Sequence, residues 1–152
     1  MLVVGGAAGL LNGELAGVNT TSDVDVLLVA ERNWDRLQEA AAEVGMEMNL
    51  PANWLNNDAG LYAESLPADW KSRRIDVGRF GKLQVWAVGR KDLIAMKFYS
   101  HRPQDREHLV QMNVTSQERE FVGRYLDDLA GRTGWANAGK IELAREILKN
   151  WD

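Results

Sequence analysis

The sequence of 152 residues contains no cysteine. Disulfide bonds and cysteine-based metal sites are therefore excluded, and a reducing compartment is the expected location. No apolar run approaches the roughly 18 residues that a membrane-spanning helix needs. The start of the chain also lacks the charged segment and cleavage site of a signal peptide, so we expect a cytoplasmic protein that does not enter a membrane.

The sequence also lacks an excess of positive charge, because 22 acidic residues against 18 lysines and arginines give a formal net charge of −4. This value argues against a protein whose whole surface coats nucleic acid, although it allows a local basic groove. The apolar share of 45% and the charged share of 26% are those of a folded globular protein. We predict one domain over residues 1–152, with a sheet-containing core at 1–89 and a helical part at 90–152 packed on it.

The first apolar run, Leu2–Val4, predicts a buried strand that stops at the pair Gly5 and Gly6. Only glycine allows backbone N–H groups to approach a phosphate without a Cβ in between. A helix predicted over 6–16 follows directly, and this order of turn and helix is typical of an anion site. The segment is therefore a candidate phosphate cradle.

A second apolar run begins with Asp23 and Asp25, which are separated by one valine. Residues i and i+2 of a strand point to the same face, so the two carboxylates project side by side. Mg²⁺ binds one or two carboxylates and completes its shell with water and substrate phosphates. The pair thus predicts a Mg²⁺ site, with Mn²⁺ as the alternative ion; a strand end whose charges are merely solvated is the simpler interpretation.

These two segments together, Val4–Gly6 and Thr21–Asp25, resemble the nucleotidyltransferase-fold superfamily. The resemblance is to its minimal bacterial branch, which includes abortive-infection toxin-like proteins. It implies an α/β (α+β) fold: a small mixed sheet with flanking helices and a C-terminal helical group. It also implies that the glycine turn contacts nucleotide phosphates and that the aspartates bind the metal. The residues marked in this way are Gly5, Gly6, Thr21, Ser22, Asp23 and Asp25.

Members of this superfamily place a third carboxylate on a later strand, facing the first two. Asp76 is the candidate here, since it lies on the first arm of a hairpin predicted over 72–88 with a turn at 79–82. Gln84 on the second arm is the competitor for that position. A third carboxylate would complete the metal site or deprotonate the acceptor hydroxyl, whereas a glutamine at this position would make the active site defective.

A second signature of the branch is matched by Asp92-Leu93, Lys97, Arg102 and Asp105. The resemblance implies that Lys97 helps to hold the triphosphate. Arg102 has a guanidinium suited to bidentate phosphate contact, and Asp105 is its predicted partner. We expect the Lys97 ammonium to emerge from an apolar helix face, with a snorkelling lysine as the alternative. His101 and His108 are predicted to be surface residues.

The remaining pattern predicts mostly helices. Residues 33–44 form an amphipathic helix that Asn33 caps and Gly45 ends, and residues 46–70 form a packed loop. In that loop Trp54 and Tyr62 either pack or stack on a base. Further helices are predicted over 92–101, over 116–130 with Ser116 in the cap and Gly131 at the end, and over 138–151.

The implied function is Mg²⁺-dependent transfer of a nucleoside monophosphate from a nucleoside triphosphate to an acceptor hydroxyl on RNA, a protein or a small molecule. Toxin-like relatives suggest tRNA or a protein as acceptor and a cognate antitoxin as partner. Two departures from the branch, Asn19 in place of an arginine and Ala7-Ala8 in place of a serine, favour a catalytically degenerate nucleotide-binding or partner-binding module as the alternative. A third option is an oligomerisation module that uses the six tryptophans.

Overall fold

The computed structural model describes residues 1–15, 21–27, 31–133 and 137–151. The chain divides into two compact units. The first comprises Met1–Glu64 and Arg74–Val88, and the second comprises Ser65–Arg73 and Gly89–Asp152. The position of Asn19 falls outside the described residues.

The first unit contains a five-stranded mixed sheet, which confirms the predicted fold class. Its strands are β1 (Leu2–Val3), β2 (Val24–Leu27), β3 (Leu55–Asn56), β4 (Ile75–Phe80) and β5 (Leu83–Ala87), in the spatial order β3-β2-β1-β5-β4. Strand β1 pairs with β2 antiparallel and with β5 parallel, while β2 pairs with β3 parallel. Strands β4 and β5 form the predicted antiparallel hairpin.

The centre of this sheet is apolar because its strands are short runs of valine and leucine. Leu2, Val3, Val26 and Leu27 each have 2% or less of their surface exposed. Successive side chains point to opposite faces, so burial of all four means that both faces of β1 and β2 are covered at this point. The sheet centre therefore holds the ends of β1 and β2 in fixed positions.

Helix α1 (Gly5–Leu11) begins where β1 ends and is shorter than predicted. Helix α2 (Glu31–Met48) is longer than predicted, because Asn33 and Gly45 lie inside it and not at its two ends. The ring of Trp54 packs at this glycine, where an added Cβ would lie 3.2 Å from the indole, and its Nε1 donates to the carbonyl of Ala41 at 2.8 Å. The helix ends instead at Asn49, which has a φ of 54°.

Residues 46–70 are more regular than the predicted loop. They include the last residues of α2, strand β3, and a 3₁₀ helix at Asp58–Ser65. Helix α3 (Trp70–Arg73) follows. The Trp54 indole packs on α2, which agrees with the packing interpretation of this residue.

The second unit is helical, as predicted, and contains α4 (Arg90–Ser100), α5 (Pro103–Gln111), α6 (Ser116–Thr133) and α7 (Ala138–Lys149). The cap of α6 is Thr115 rather than Ser116: its hydroxyl accepts from the Glu118 amide, and the Glu118 carboxylate accepts from the Thr115 amide. Gly131 lies inside α6. None of the helices in the described part of the chain is both long and apolar enough to cross a membrane.

Candidate functional site

The acidic pair lies at the start of β2, where the sequence predicts it. Asp25 is the second residue of the strand and Asp23 directly precedes it. Both side chains are partly exposed, while Val26, on the opposite face from Asp25, is fully buried. The Thr21 hydroxyl lies 3.0 Å from Oδ1 of Asp23 and 3.1 Å from its backbone carbonyl. Thr21 therefore orients Asp23, whereas Ser22 is exposed.

The glycine turn lies directly beside Asp25. The Val4 amide donates to the Asp25 carbonyl at 2.9 Å, which places the end of β1 against the start of β2. Gly5 has a φ of +66°, and a Cβ added to it would lie 2.7 Å from Oδ2 of Asp25. Every other residue is strained in this conformation, and a side chain would also displace the carboxylate. The structure thus brings together Gly5 and Asp25, which are 20 residues apart in the sequence.

The strand next to Asp25 on the other side carries Asn56, a residue of the segment 46–70 for which the sequence predicts a packed loop. Asp25 and Asn56 are register partners in the parallel pair of β2 and β3. Only 9% of the Asn56 surface is exposed. A strand of two residues shows no periodicity, so the only available signal was its position after Trp54-Leu55 and before the acidic Asp58.

Asp76 does not join the acidic pair. It lies on the edge strand β4, and β1 and β5 separate that strand from β2. Three inter-strand spacings of about 4.8 Å put roughly 14 Å between β2 and β4. Asp76 is exposed and accepts a 2.7 Å hydrogen bond from Nε2 of Gln84. No group of three or more His, Cys, Asp or Glu side chains that could hold a metal occurs in the described segments, so the predicted three-carboxylate cluster is not formed.

Lys97 is buried, contrary to the expectation that its ammonium emerges from the helix. Its Nζ lies 2.9 Å from Oδ1 of Asp105 and 2.8 Å from Nδ1 of His108. His108, expected at the surface, has only 6% of its surface exposed. The ammonium would have to leave both partners to reach a phosphate. We therefore interpret Lys97 first as the charge that joins α4 to α5.

Asp105 receives the predicted bond from Arg102, whose Nε donates to Oδ2 at 2.9 Å. Burial alone would raise the pKa of this carboxyl, but the Arg102 hydrogen bond, the charge of Lys97 and the Ser100 hydroxyl outweigh it and lower the pKa to about 2. Burial and the adjacent Lys97 charge both lower the pKa of His108. His108 is therefore neutral at pH 7 and accepts the hydrogen bond from Lys97 through Nδ1.

Residues 71–82 are locally basic, and two neighbouring arginines in this range, Arg73 and Arg74, have different contacts. In the second unit, Arg73 forms a forked contact with the buried Asp92, with Nη2 at 2.6 Å from Oδ1. In the first unit, the guanidinium of Arg74 lies 4.4 Å from the centre of the Trp86 ring. Arg73 is thus used in holding α3 to α4, and Arg74 is an exposed cation stacked on an aromatic ring.

A Mg²⁺ ion that takes its other ligands from water and substrate phosphates needs only one or two protein carboxylates, and Asp23 and Asp25 offer two. The lack of a side chain at Gly5 leaves space beside Asp25 that a Cβ would fill. These residues therefore fit a metal–nucleotide complex better than a metal held by protein ligands alone. The C-terminal candidates Lys97 and Arg102 belong to the other compact unit.

Comparison with known families gives a match over most of the chain. A family model described as "Nucleotidyltransferase of unknown function (DUF6036)" matches residues 1–120. The matched range includes the glycine turn, the acidic pair, Asn56 and the Lys97 network. No curated protein and no solved structure gives a significant match to the chain.

Proposed function

Because the chain belongs to DUF6036, a nucleotidyltransferase family of unknown function, we propose that it transfers a nucleoside monophosphate from a nucleoside triphosphate to an acceptor hydroxyl, with Mg²⁺ as cofactor. Asp23 and Asp25 are the proposed metal-binding residues. The turn at Gly5 and Gly6 is the proposed phosphate contact. Asp76 is not part of this proposal, because two strands separate it from the pair.

The observation that carries the proposal is the contact between Gly5 and Asp25. Gly5 is left-handed, and the space that its missing Cβ would fill lies against Oδ2 of Asp25, so the carboxylate and the bare backbone lie side by side. Asp25 is partly exposed and can therefore meet a ligand from solvent. A phosphate next to this carboxylate would be repelled unless a cation lies between them. A Mg²⁺–triphosphate complex satisfies both groups.

The reaction is an in-line displacement at the α-phosphorus. The acceptor oxygen bonds to the α-phosphorus, the bond from that phosphorus to the oxygen bridging to the β-phosphate breaks, pyrophosphate leaves, and the hydroxyl proton is released to solvent. Bound Mg²⁺ supplies neutralisation of the charge that develops on the phosphate oxygens. Asp23, which Thr21 orients, and Asp25, which lies beside Gly5, would hold that ion.

The proposed partners are a nucleoside triphosphate and an acceptor of the RNA or protein class. A cognate antitoxin is proposed as a regulatory partner on the strength of the toxin-like resemblance. The exposed Arg74 on Trp86 supports a nucleic-acid acceptor, since base and backbone contacts combine stacking with positive charge.

The test is incubation with each labelled nucleoside triphosphate, Mg²⁺ and total cellular RNA or protein. We expect label transfer by the wild type and none by Asp23→Asn. Asp76→Asn is the matched control, because it removes the same charge from an exposed strand position and is expected to keep full transfer. Loss of transfer in both variants would contradict the assignment of the site. Absence of transfer and of Mg²⁺-dependent nucleotide binding in the wild type would contradict the proposed activity.

The second candidate function is a nucleotide-binding module that has lost catalysis. It is favoured by one observation, that the register position beside Asp25 holds an asparagine and not a carboxylate. Nucleotide binding that depends on Asp25, without transfer to any acceptor, would distinguish this function from the first.

A further inference from the structure

Asn56 lies on strand β3, in register with Asp25. Its side chain is nine-tenths buried, yet it is polar and lies on the strand adjacent to the acidic pair. In a parallel pair, residues in register project to the same face of the sheet and lie about 4.8 Å apart. The carboxamide of Asn56 therefore lies on the same face as the carboxylate of Asp25.

The orientation of this carboxamide is fixed by one hydrogen bond. The Asp58 amide donates to Oδ1 of Asn56 at 3.0 Å, which closes a turn of the kind that asparagine side chains form two residues ahead. Because Oδ1 is the acceptor in this bond, the other end of the group must be the NH₂ donor. The side chain thus presents a hydrogen-bond donor to its surroundings.

This donor has no partner within the segments that the structure describes. No hydrogen bond from Nδ2 of Asn56 is formed there, whereas Oδ1 is bonded. None of the described buried side chains has a fully enclosed polar atom that lacks a partner, so Nδ2 must reach solvent. A polar donor held in a nearly buried side chain and open at its tip is suited to a ligand that carries an acceptor oxygen.

We propose that Asn56 is a nucleotide-binding residue whose Nδ2 donates to a phosphate oxygen of the triphosphate bound at Asp23 and Asp25. This inference rests on the proposed function and adds a third side chain to its site. An amide donor beside Asp25 attracts the anionic phosphate and does not add to the negative charge that faces it. The site then has two carboxylates and one amide, which suits one Mg²⁺ delivered with the nucleotide rather than a pair of protein-held ions.

The test compares two single-atom changes at adjacent positions, Asn56→Asp and Asn57→Asp. Asn56→Asp keeps the oxygen that accepts from Asp58 but replaces the donor by a second oxygen. Asn57 is exposed and follows in the chain, so Asn57→Asp introduces the same charge without altering the proposed contact. Two readouts are taken on each purified chain: the affinity for a Mg²⁺–nucleoside triphosphate by calorimetry, and the affinity for Mn²⁺ alone by electron paramagnetic resonance.

We expect Asn56→Asp to weaken nucleotide binding by about tenfold to a hundredfold, the range for loss of a hydrogen bond to a charged group. The same variant should bind Mn²⁺ about tenfold more tightly, because a third carboxylate raises the charge of the metal site. A residue with only a structural role would change both affinities in the same direction. Asn57→Asp should change each affinity less than threefold, a small effect expected of an exposed charge.

The outcomes separate this inference from the proposed function. Nucleotide binding by the wild type with equal affinities in Asn56→Asp and Asn57→Asp would overturn the role of Asn56 and leave the proposed function standing. No nucleotide binding by the wild type would overturn both. Thermal unfolding of each variant is measured alongside as a control for folding. Asn56→Gln is a second variant, which keeps an amide donor but shifts it by one methylene. It should retain more nucleotide affinity than Asn56→Asp.

Discussion

Replacing Asp105 by asparagine should destabilise the protein strongly, because Asp105 is the buried counter-charge of Lys97. Both side chains have 3% or less of their surface exposed, and their charged atoms are 2.9 Å apart. Removing one partner of such a pair leaves an uncompensated charge in the interior, which costs about 3–5 kcal/mol. At this chain length a change of 1 kcal/mol in the free energy of unfolding shifts the thermal unfolding midpoint by about 2–4 °C, so we expect that midpoint to fall by roughly 6–20 °C.

Part of the stability that Asp105 contributes depends on pH, and the sign of this dependence follows from the pKa of its carboxyl. The pKa is lowered from 3.8 to about 2 in the folded protein. The shift of almost two units corresponds to roughly 2 kcal/mol. Because the folded pKa lies below the unfolded one, the stabilisation is complete well above pH 3.8. It is lost as the pH falls from that value through 2.

The assay is urea unfolding at a series of pH values from 7 to 2.5, followed by tryptophan fluorescence. Trp151 is a useful reporter in the same unit, since its ring contacts Phe98 at a centroid distance of 5.0 Å. The control is Asp127→Asn, which breaks an exposed ion pair with Arg145 and should cost less than about 1 kcal/mol. The difference in the free energy of unfolding between the wild type and Asp105→Asn should become smaller as the pH falls below 3.8.

Two results would refute this reasoning. One is a free energy of unfolding for Asp105→Asn within 1 kcal/mol of that for Asp127→Asn, about the spread of a single exposed pair. The other is a difference from the wild type that stays constant from pH 7 to 2.5. Either result would mean that the buried network does not hold a charged carboxylate.

Three further substitutions have definite expected outcomes. Gly5→Ala should lower the free energy of unfolding by about 1–2 kcal/mol, because alanine is strained in the left-handed conformation, and should weaken nucleotide binding by displacing Asp25. We therefore expect a lower thermal unfolding midpoint and a lower nucleotide affinity by calorimetry. An unchanged unfolding midpoint would contradict the observed φ of Gly5. Thr115→Ala removes the cap of α6 and should lower the free energy of unfolding by about 1 kcal/mol, whereas Ser116→Ala should have almost no effect in the same urea titration. Tyr125→Phe removes a buried hydroxyl that donates to a backbone carbonyl at 2.7 Å and should lower stability by about 1 kcal/mol, and equal midpoints for it and the wild type would argue against that bond.

Elements with a strong local pattern could be predicted from the sequence. Asp23 and Asp25 precede a valine–leucine run, and alternation over β4 and β5 together with the glycine between them predicts the hairpin. In α6 the spacing of Phe121, Val122, Tyr125, Leu126 and Leu129 predicts an apolar stripe, and all of these except the partly exposed Phe121 are buried. In each of these cases the signal lies within one element, where side-chain periodicity is determined by local geometry.

Features that depend on contacts distant in sequence could not be predicted in this way. Gly45 looks like the end of a helix, but α2 continues through it because Trp54 packs against that turn. Lys97 looks exposed until Asp105 and His108 from α5 are placed around it. In both cases tertiary packing decides the outcome, because it outweighs local conformational preferences, which are worth about 1 kcal/mol per residue.

The candidate site shows the same division. The position of the acidic pair follows from the sequence, whereas the neighbour of Asp25 follows only from sheet order. The sequence predicts Asp76, with Gln84 as its competitor, for the position facing the pair, whereas the register of β2 with β3 places Asn56 beside Asp25. A strand of two residues gives a sequence pattern too little length to reveal such pairing.

The sheet order also has a consequence for synthesis of the chain. Strand β1 lies between β2 and β5, and the Met1 ammonium donates to the backbone carbonyl of Gln84, 83 residues away. During translation β1 leaves the ribosome well before β5, so its leucine and valine stay uncovered on one edge until the hairpin emerges. Contacts of such long sequence separation close slowly. A ribosome that stalls before β5 would therefore present an open strand edge, and we expect the nascent chain to depend on a chaperone at that stage.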